Sequence, residues 1–345
     1  MAAGARRSRG ELAAGFAKWL ASREPGGTEP TVEVTRPSAG LSSETVFVSA
    51  SWVEHTEEFV VRLPPAGALS FPDYDLEQQY QVQRAVAKAG IPVANPLAYV
   101  SDESYVGAPF LVMPRIEGRL LTTMPSYSQQ GWLFEMPADA QGRFLGDFLN
   151  LFAEIHRVPV DSIDVGLSGG GPTLEGALDY WTEYVEWATE DDAAKAIYRE
   201  GLSWLRERIP SSPAISLLWG DPQLPNVVFD TNGEAVAILD WEMASLGPAE
   251  MDLAWFLVLH ELAVEMGGGN LPGFPDRRTM LDWYELALGR TVQDLGWYEV
   301  FANIRSGAIV LRIGQLMRDA GGSSSWTAHI PQPRQIRTLI GALDA

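Results

Sequence analysis

The sequence contains no cysteine, which removes disulfides, thiolate metal sites and cysteine nucleophiles together and suits a reducing compartment. Lysine is nearly missing as well: Lys18, Lys88 and Lys195 are the only lysines among 25 basic residues, so most cationic tasks fall to arginine. Histidine occurs four times, at His55, His156, His260 and His329, none at ligand spacing to another, and a zinc site is not expected. Neither Gly-x-Gly-x-x-Gly nor the P-loop pattern occurs, so dinucleotide and Walker-type sites lack support. No apolar run reaches the ~20 residues needed to cross a bilayer; the stretch 253–262 carries His260 and Glu261 and reads as a core helix. Basic charge is scarce, 25 Lys and Arg against 45 Asp and Glu, and the net charge of −20 argues against nonspecific nucleic-acid binding. An acidic surface would help attract a polycation, although it also serves solubility.

What is present describes a soluble protein of 345 residues, 46% hydrophobic and 20% charged, long enough for two lobes. A cytoplasmic location is expected, with no membrane partner. Residues 1–30 open with Arg6, Arg7 and Arg9, but Glu11, Lys18 and Arg23 interrupt the apolar stretch that an export signal needs. Leu12, Phe16, Trp19 and Leu20 share a helical face, which predicts an amphipathic helix packed on the body. Residues 31–115 alternate β-rich runs with turns: 32–34, 45–50 and 58–63, then a helix over 75–89, then strands at 97–100 and 110–113. From 116 to 345 the periodicity is helical, over 143–156, 174–188, 192–208, 251–262, 278–288 and 294–317.

Within that helical region lies one hairpin. The runs 226–229 and 235–239 flank Asp230-Thr231-Asn232-Gly233, where Asn-Gly favours a tight turn. Pairing them brings the loop holding Asp221 and Asn226 beside Asp240 at the end of the second strand. Two carboxylates and an amide supply hard oxygens, the ligand type of magnesium that also holds phosphate. The step of five residues from Asp221 to Asn226 equals that of the kinase catalytic loop. Asp221 would then orient an acceptor hydroxyl, with Asn226 and Asp240 as metal ligands. An Asp with an ordinary pKa near ~4 is a weak base, so positioning is its main expected task.

WGDPQLPN at 219–226 and LDWEMASLGPAEMDLAW at 239–255 resemble the aminoglycoside phosphotransferase (phosphotransferase enzyme) family. The chain is similar in particular to the branch that includes kinase-like domains of acyl-CoA dehydrogenase fusion proteins. VVRLPP at 60–65, GAPFLVMPRIEGR at 107–119 and LFAEIHRV at 151–158 extend the likeness in order. The resemblance implies an α+β, two-lobed protein-kinase-like fold: a small antiparallel-sheet lobe with one helix, then a larger, mostly helical lobe carrying the catalytic hairpin. It implies an ATP- and magnesium-dependent small-molecule phosphotransferase acting on a substrate hydroxyl, with GTP left open. A catalytically silent nucleotide- or metabolite-binding protein on the same fold is the alternative.

The family pattern also carries roles onto other residues. Arg62 stands where the family places the phosphate-contacting Lys; the bland reading is a surface Arg on an edge strand. Gln79 falls at the family's helix Glu, which makes Glu77 the candidate partner of Arg62. Gly40 lies in a turn resembling the phosphate-covering loop, and Met113 begins the stretch whose backbone would meet adenine. Trp219 replaces the usual His and would brace the loop; Glu242 would bind a second metal, a cationic group or only solvent. Asp252 reads as an N-cap and His156 as a buried or capping residue. Gly166-Leu167-Ser168-Gly169-Gly170 formally fits the hydrolase nucleophile elbow, but glycines and Pro172 follow where a helix is required. Helices over 174–208 and 251–317 interleave acids with Trp and Tyr, which favours an acceptor with a substantial apolar part over an aminoglycoside.

Overall fold

The computed structural model describes residues 7–23, 28–37, 43–65, 67, 69–163, 171–211, 213–323, 327 and 329–345. Gly40 and Ser168 lie outside the described residues. The chain forms two compact units, 1–87 with 94–116, and 88–93 with 117–345.

The small unit begins with α1 (Arg9–Ser22), started by a capping box in which Ser8 and Glu11 exchange hydrogen bonds. Its apolar stripe of Leu12, Phe16, Trp19 and Leu20 is buried in the same cluster as Val46, Val48, Phe59, Val61 and Phe110. The N-terminal helix is therefore part of this unit's core. Strands β1 (Thr31–Thr35), β2 (Glu44–Ser51), β3 (Thr56–Leu63), β4 (Ala98–Val100) and β5 (Phe110–Pro114) form one antiparallel sheet in the order β1-β2-β3-β5-β4. Side chains alternate between its faces: Phe59, Val61 and Leu63 join the α1 cluster, while Val60 packs towards Leu76, Leu111 and Met113. Arg62 shares the parity of Val60. Leu76 belongs to α2 (Leu76–Lys88), whose buried residues are Leu76, Gln78, Gln79, Val82, Gln83 and Val86.

The large unit is mostly helical: α3 (Ala138–His156), α4 (Leu174–Ala188), α5 (Asp192–Arg206), α6 (Ala249–Gly267), α7 (Arg277–Leu288), α8 (Leu295–Asp319) and α9 (Gln332–Leu343). Two strand pairs interrupt the helices, β6 (Ile215–Leu218) with β9 (Ser245–Pro248), and β7 (Val227–Phe229) with β8 (Ala235–Ile238). The β7–β8 turn is closed by Asp230, whose carboxylate accepts from the backbone of Asn232 and Glu234, with Gly233 at φ +90°. The predicted fold class is thus the observed one, α+β with a five-stranded antiparallel sheet and a helical unit carrying a hairpin. Three elements were missed. β6 and β9 are four-residue strands whose burial does not alternate, and α9 has only Gln332 and Ile336 buried, too sparse a stripe to announce a helix. Among the described residues no helix is long and apolar enough to cross a membrane.

Candidate active site

The loop after β6 carries Asp221 and Asn226. Trp219 is fully buried, and its backbone N–H donates to Asp252 Oδ2 at 2.7 Å. Gly220 donates to both oxygens of the same carboxylate, at 3.2 and 3.3 Å. Gly220 has φ +93° and a Cβ there would meet Met243 O at 2.1 Å, so the position requires glycine twice over. Asp252 is 0% exposed and takes a further bond from His156 Nε2 at 3.3 Å, with Tyr284 Oη at 2.7 Å from the other ring nitrogen. Asp252 is therefore not the N-cap of α6, a position held by Pro248; it lies inside the helix and pins the loop backbone. His156 is buried and braces that carboxylate.

The loop turn places Asp221 and Asn226 together. Asn226 Nδ2 donates to Asp221 Oδ2 at 2.8 Å and to its main-chain oxygen at 3.1 Å. Asp221 Oδ1 accepts from Gln223 Nε2 at 2.5 Å and from Trp255 Nε1 of α6 at 2.7 Å. Burial of the carboxyl, and next the charge of Asp240, push its pKa up to about 6 against the pull of these three donors. A carboxylate so placed remains mostly ionised at neutral pH and is a better proton acceptor than an ordinary Asp.

Asp240 follows β8 with φ +60°, one of two non-glycine residues with positive φ among the described residues. Such a conformation is tolerated by Asp but costs free energy, and it turns the chain sharply out of the strand. Its neighbours hold it there: Leu239 N donates to Asn226 O at 2.8 Å, Trp219 Nε1 to Leu239 O at 2.7 Å, and Trp241 Nε1 to Ile238 O at 3.1 Å. The two strands thus carry Asp221, Asn226 and Asp240 to one end of the hairpin. Glu242 is half-buried, and its charge adds to burial in raising the Tyr184 hydroxyl pKa. Among the described residues no group of three or more His, Asp or Glu could hold a metal by itself.

In the small unit Arg62 is 9% exposed and lies in β3, flanked by β2 and β5. The reading of a surface arginine on an edge strand is thereby corrected. Its Nε and Nη2 donate to Ser43 Oγ at 3.2 and 3.0 Å. Glu77 does not pair with Arg62. It is exposed on the outer face of α2 and accepts only from Gln81 Nε2 at 3.4 Å, because residues two apart on a helix point to opposite sides. Gln79 faces inward, 2% exposed, and its Oε1 has no hydrogen-bond partner among the described residues. Met113 sits in β5 opposite Val60 and its side chain packs in the core.

Sequence reasoning missed two contributors, Trp255 as a donor to Asp221 and Arg305 of α8 behind it. Arg305 is 4% exposed, lies 4.7 Å over the Trp255 ring, and donates from Nη2 to Gly220 O at 3.3 Å. A cationic residue inside an apolar stretch of α8 was the available signal. The aromatic rings offered for the acceptor are mostly core: Trp181, Tyr184, Trp255, Phe256, Tyr284 and Trp297 are all buried.

A family model, that of the phosphotransferase enzyme family, matches residues 33–280. The chain is 27% identical over 237 residues to human acyl-CoA dehydrogenase family member 11, covering 67% of this chain and 28% of that protein. It thus spans under a third of the curated relative's length. A crystal structure of a provisionally named aminoglycoside phosphotransferase from Ralstonia eutropha superposes with a TM-score of 0.72 at 23% identity, covering 94% of this chain and 95% of that one. A thermostable mutant of aminoglycoside phosphotransferase APH(4)-Ia, in ternary complex with AMP-PNP and hygromycin B, superposes with a TM-score of 0.58 at 16% identity, covering 94% and 98%. At these identities the two structures speak for the fold.

Proposed function

The chain belongs to the phosphotransferase enzyme family, and on that premise we propose that it transfers the γ-phosphoryl group of ATP to a hydroxyl of a small molecule. The observation that carries this reading is the Asp221–Asn226 contact at the hairpin end, with Asp240 close enough to raise the pKa of Asp221. The donor set fits magnesium: Asn226 commits its amide nitrogen to Asp221, which turns its carbonyl oxygen elsewhere, and Asp240 adds an anionic oxygen. Asn226 and Asp240 would hold the ion, which would supply positive charge against that building on the phosphate oxygens. Arg62 would supply cationic donors to phosphate oxygens, and the backbone near Met113 would meet the base.

Asp221 accepts a hydrogen bond from the acceptor hydroxyl and fixes its direction. The hydroxyl oxygen forms a bond to the γ-phosphorus as the bond to the bridging oxygen breaks, and that oxygen leaves with the electron pair on ADP. The hydroxyl proton passes to Asp221 and then to solvent.

The acceptor is a hydroxyl compound with an apolar part. Two of the acids interleaved with the aromatic rings are already engaged: Glu186 is held by Arg199 at 2.6 Å and by Lys195, which keep its carboxyl low at about 2, and Asp192 also pairs with Arg199. Beside the Asp221 loop lies an apolar cavity of about 90 Å³, lined by Pro222, Leu224, Phe256, Leu259, Ala263 and Met266 among others. The similarity to a protein named for acyl-CoA chemistry puts hydroxyacyl thioesters first among compounds to test.

ADP release from Mg-ATP, followed across hydroxyacyl thioesters, amino alcohols and aminoglycosides, tests the reading. Turnover is expected with an acceptor of the first two kinds. Asp221→Asn should lower it by roughly a hundredfold or more while leaving Mg-ATP affinity nearly unchanged. Turnover of kanamycin-type compounds alone would overturn the acceptor class. Mg-ATP binding without turnover of any compound would favour a catalytically silent binding protein, the reading that the outward Glu77 and the inward Gln79 support.

A further inference from the structure

A carboxylate offers about four lone-pair sites, two on each oxygen. On Asp221, Gln223 and Trp255 occupy both sites of Oδ1, and Asn226 occupies one of Oδ2. One site remains, on Oδ2. Which oxygen is left therefore depends on where the Trp255 indole stands. That ring is 3% exposed and is held by the Arg305 guanidinium, which lies 4.7 Å from its centroid, 5.2 Å from Trp181 and 5.8 Å from Phe301. The same guanidinium grips the oxygen of Gly220, the residue before Asp221. Arg305 has no carboxylate within ion-pair distance among the described residues, and its Nε has no hydrogen-bond partner. The negative charges of Asp252 and Asp221 nearby favour this cation, which would be costly to bury for packing alone. Its aromatic cage and the bond to Gly220 instead aim it at the two supports of Asp221, the indole and the loop backbone.

Resting on the assignment of Asp221 as the acceptor-orienting carboxylate, we propose that Trp255 and Arg305 are its positioning residues. They fix Oδ1 through the indole N–H so that Oδ2 is the oxygen that meets the acceptor hydroxyl.

The test uses the full chain, with water as the acceptor, following phosphate release from Mg-ATP, and in parallel the ¹H–¹⁵N signals of the tryptophan indoles. Trp255→Phe keeps a ring against Arg305 and deletes only the N–H; its missing signal assigns Trp255. The expected result is a kcat lower by about tenfold or more, with KM for Mg-ATP within about twofold and the melting temperature little changed. Arg305→Lys, which keeps the charge and loses the planar stack, should displace the Trp255 signal and lower kcat in the same pattern. A role confined to packing would lower the melting temperature and leave kcat of the folded protein alone. In Asp221→Ala the Trp255 signal should move upfield and exchange faster with water; an unmoved signal overturns the proposal, as does an unchanged kcat in folded Trp255→Phe. Were Trp255→Phe to unfold, Arg305→Lys gives the kcat-against-KM reading. Were hydrolysis too slow to measure, the signal assigned by difference in Asp221→Ala decides. Survival of turnover in Asp221→Ala would instead refute the role of Asp221 itself, whatever the indole signal does.

Discussion

His260 should make the large unit acid-labile, and the structure gives the size of the effect. Its ring is 5% exposed, stacked on Phe256 at 5.6 Å and Tyr127 at 6.3 Å, with Phe274 at 5.7 Å, and Nδ1 shares a hydrogen bond with Tyr127 Oη at 2.8 Å. Burial among these uncharged rings disfavours the imidazolium and lowers the pKa from 6.5 to about 4. As pH falls through 6.5 the unfolded chain takes up a proton that the folded chain refuses, so the unfolded state binds more protons and stability falls with falling pH. The loss runs from pH 6.5 down to about 4, below which both states are protonated and it stops growing. At 1.36 kcal/mol per pKa unit the full loss is about 3 kcal/mol. His260→Gln keeps an acceptor for Tyr127 and removes the titration. Urea unfolding followed by tryptophan fluorescence, on parent and variant from pH 7.5 to 4, reads the difference directly. The parent should lose about 3 kcal/mol relative to the variant across that window, with no relative change above pH 7. A flat difference, or one of opposite sign, would refute the claim that His260 is held neutral by burial.

Asp240→Ala should abolish magnesium-dependent nucleotide binding, since one amide oxygen holds a hard cation poorly; calorimetry with Mg-ATP checks this, and equal affinities would remove Asp240 from the metal site. Arg62→Lys should weaken Mg-ATP binding by about 1 kcal/mol or more if the fork that now grips Ser43 is matched to phosphate, whereas unchanged or improved affinity in the same titration would mean that Arg62 serves only the sheet.

The elements that could be read from the sequence are those whose signal is local. Apolar stripes gave α1, α2 and the main helices of the large unit, and the five-residue step from Asp221 to Asn226 stays within one loop. Boundaries slipped where the periodicity faded: α3 begins at Ala138, before the first buried aromatic, because its opening turn, Ala138-Asp139-Ala140-Gln141, has no large apolar residue. The outward position of Glu77 was legible, since Gln79 lies three residues from both Leu76 and Val82 on the buried stripe; family register drew attention away from helical geometry. Asp252, Trp255 and Arg305 were not legible as supports of the loop. Their bonds to it cross 32 to 85 residues of chain; the charge of Arg305 within an apolar stretch of α8 marks it as unusual, but nothing in any of the three segments says which loop the side chain meets.

The departure at Trp219 shows why a motif's first residue can change without loss of the loop. The bond that pins the loop is made by the backbone N–H of Trp219 to Asp252, and any residue but proline supplies that donor. What the side chain adds is a second tie. Its indole reaches Leu239 O, the residue before Asp240, while its backbone lies two residues before Asp221. One side chain thus joins the strand that delivers Asp221 to the strand that delivers Asp240, and it packs at 6.2 Å against Trp241 on the far side of Asp240. A tryptophan at this position has no exposure, so the substitution changes how the two carboxylates are held and leaves Asp221, Asn226 and Asp240 in place.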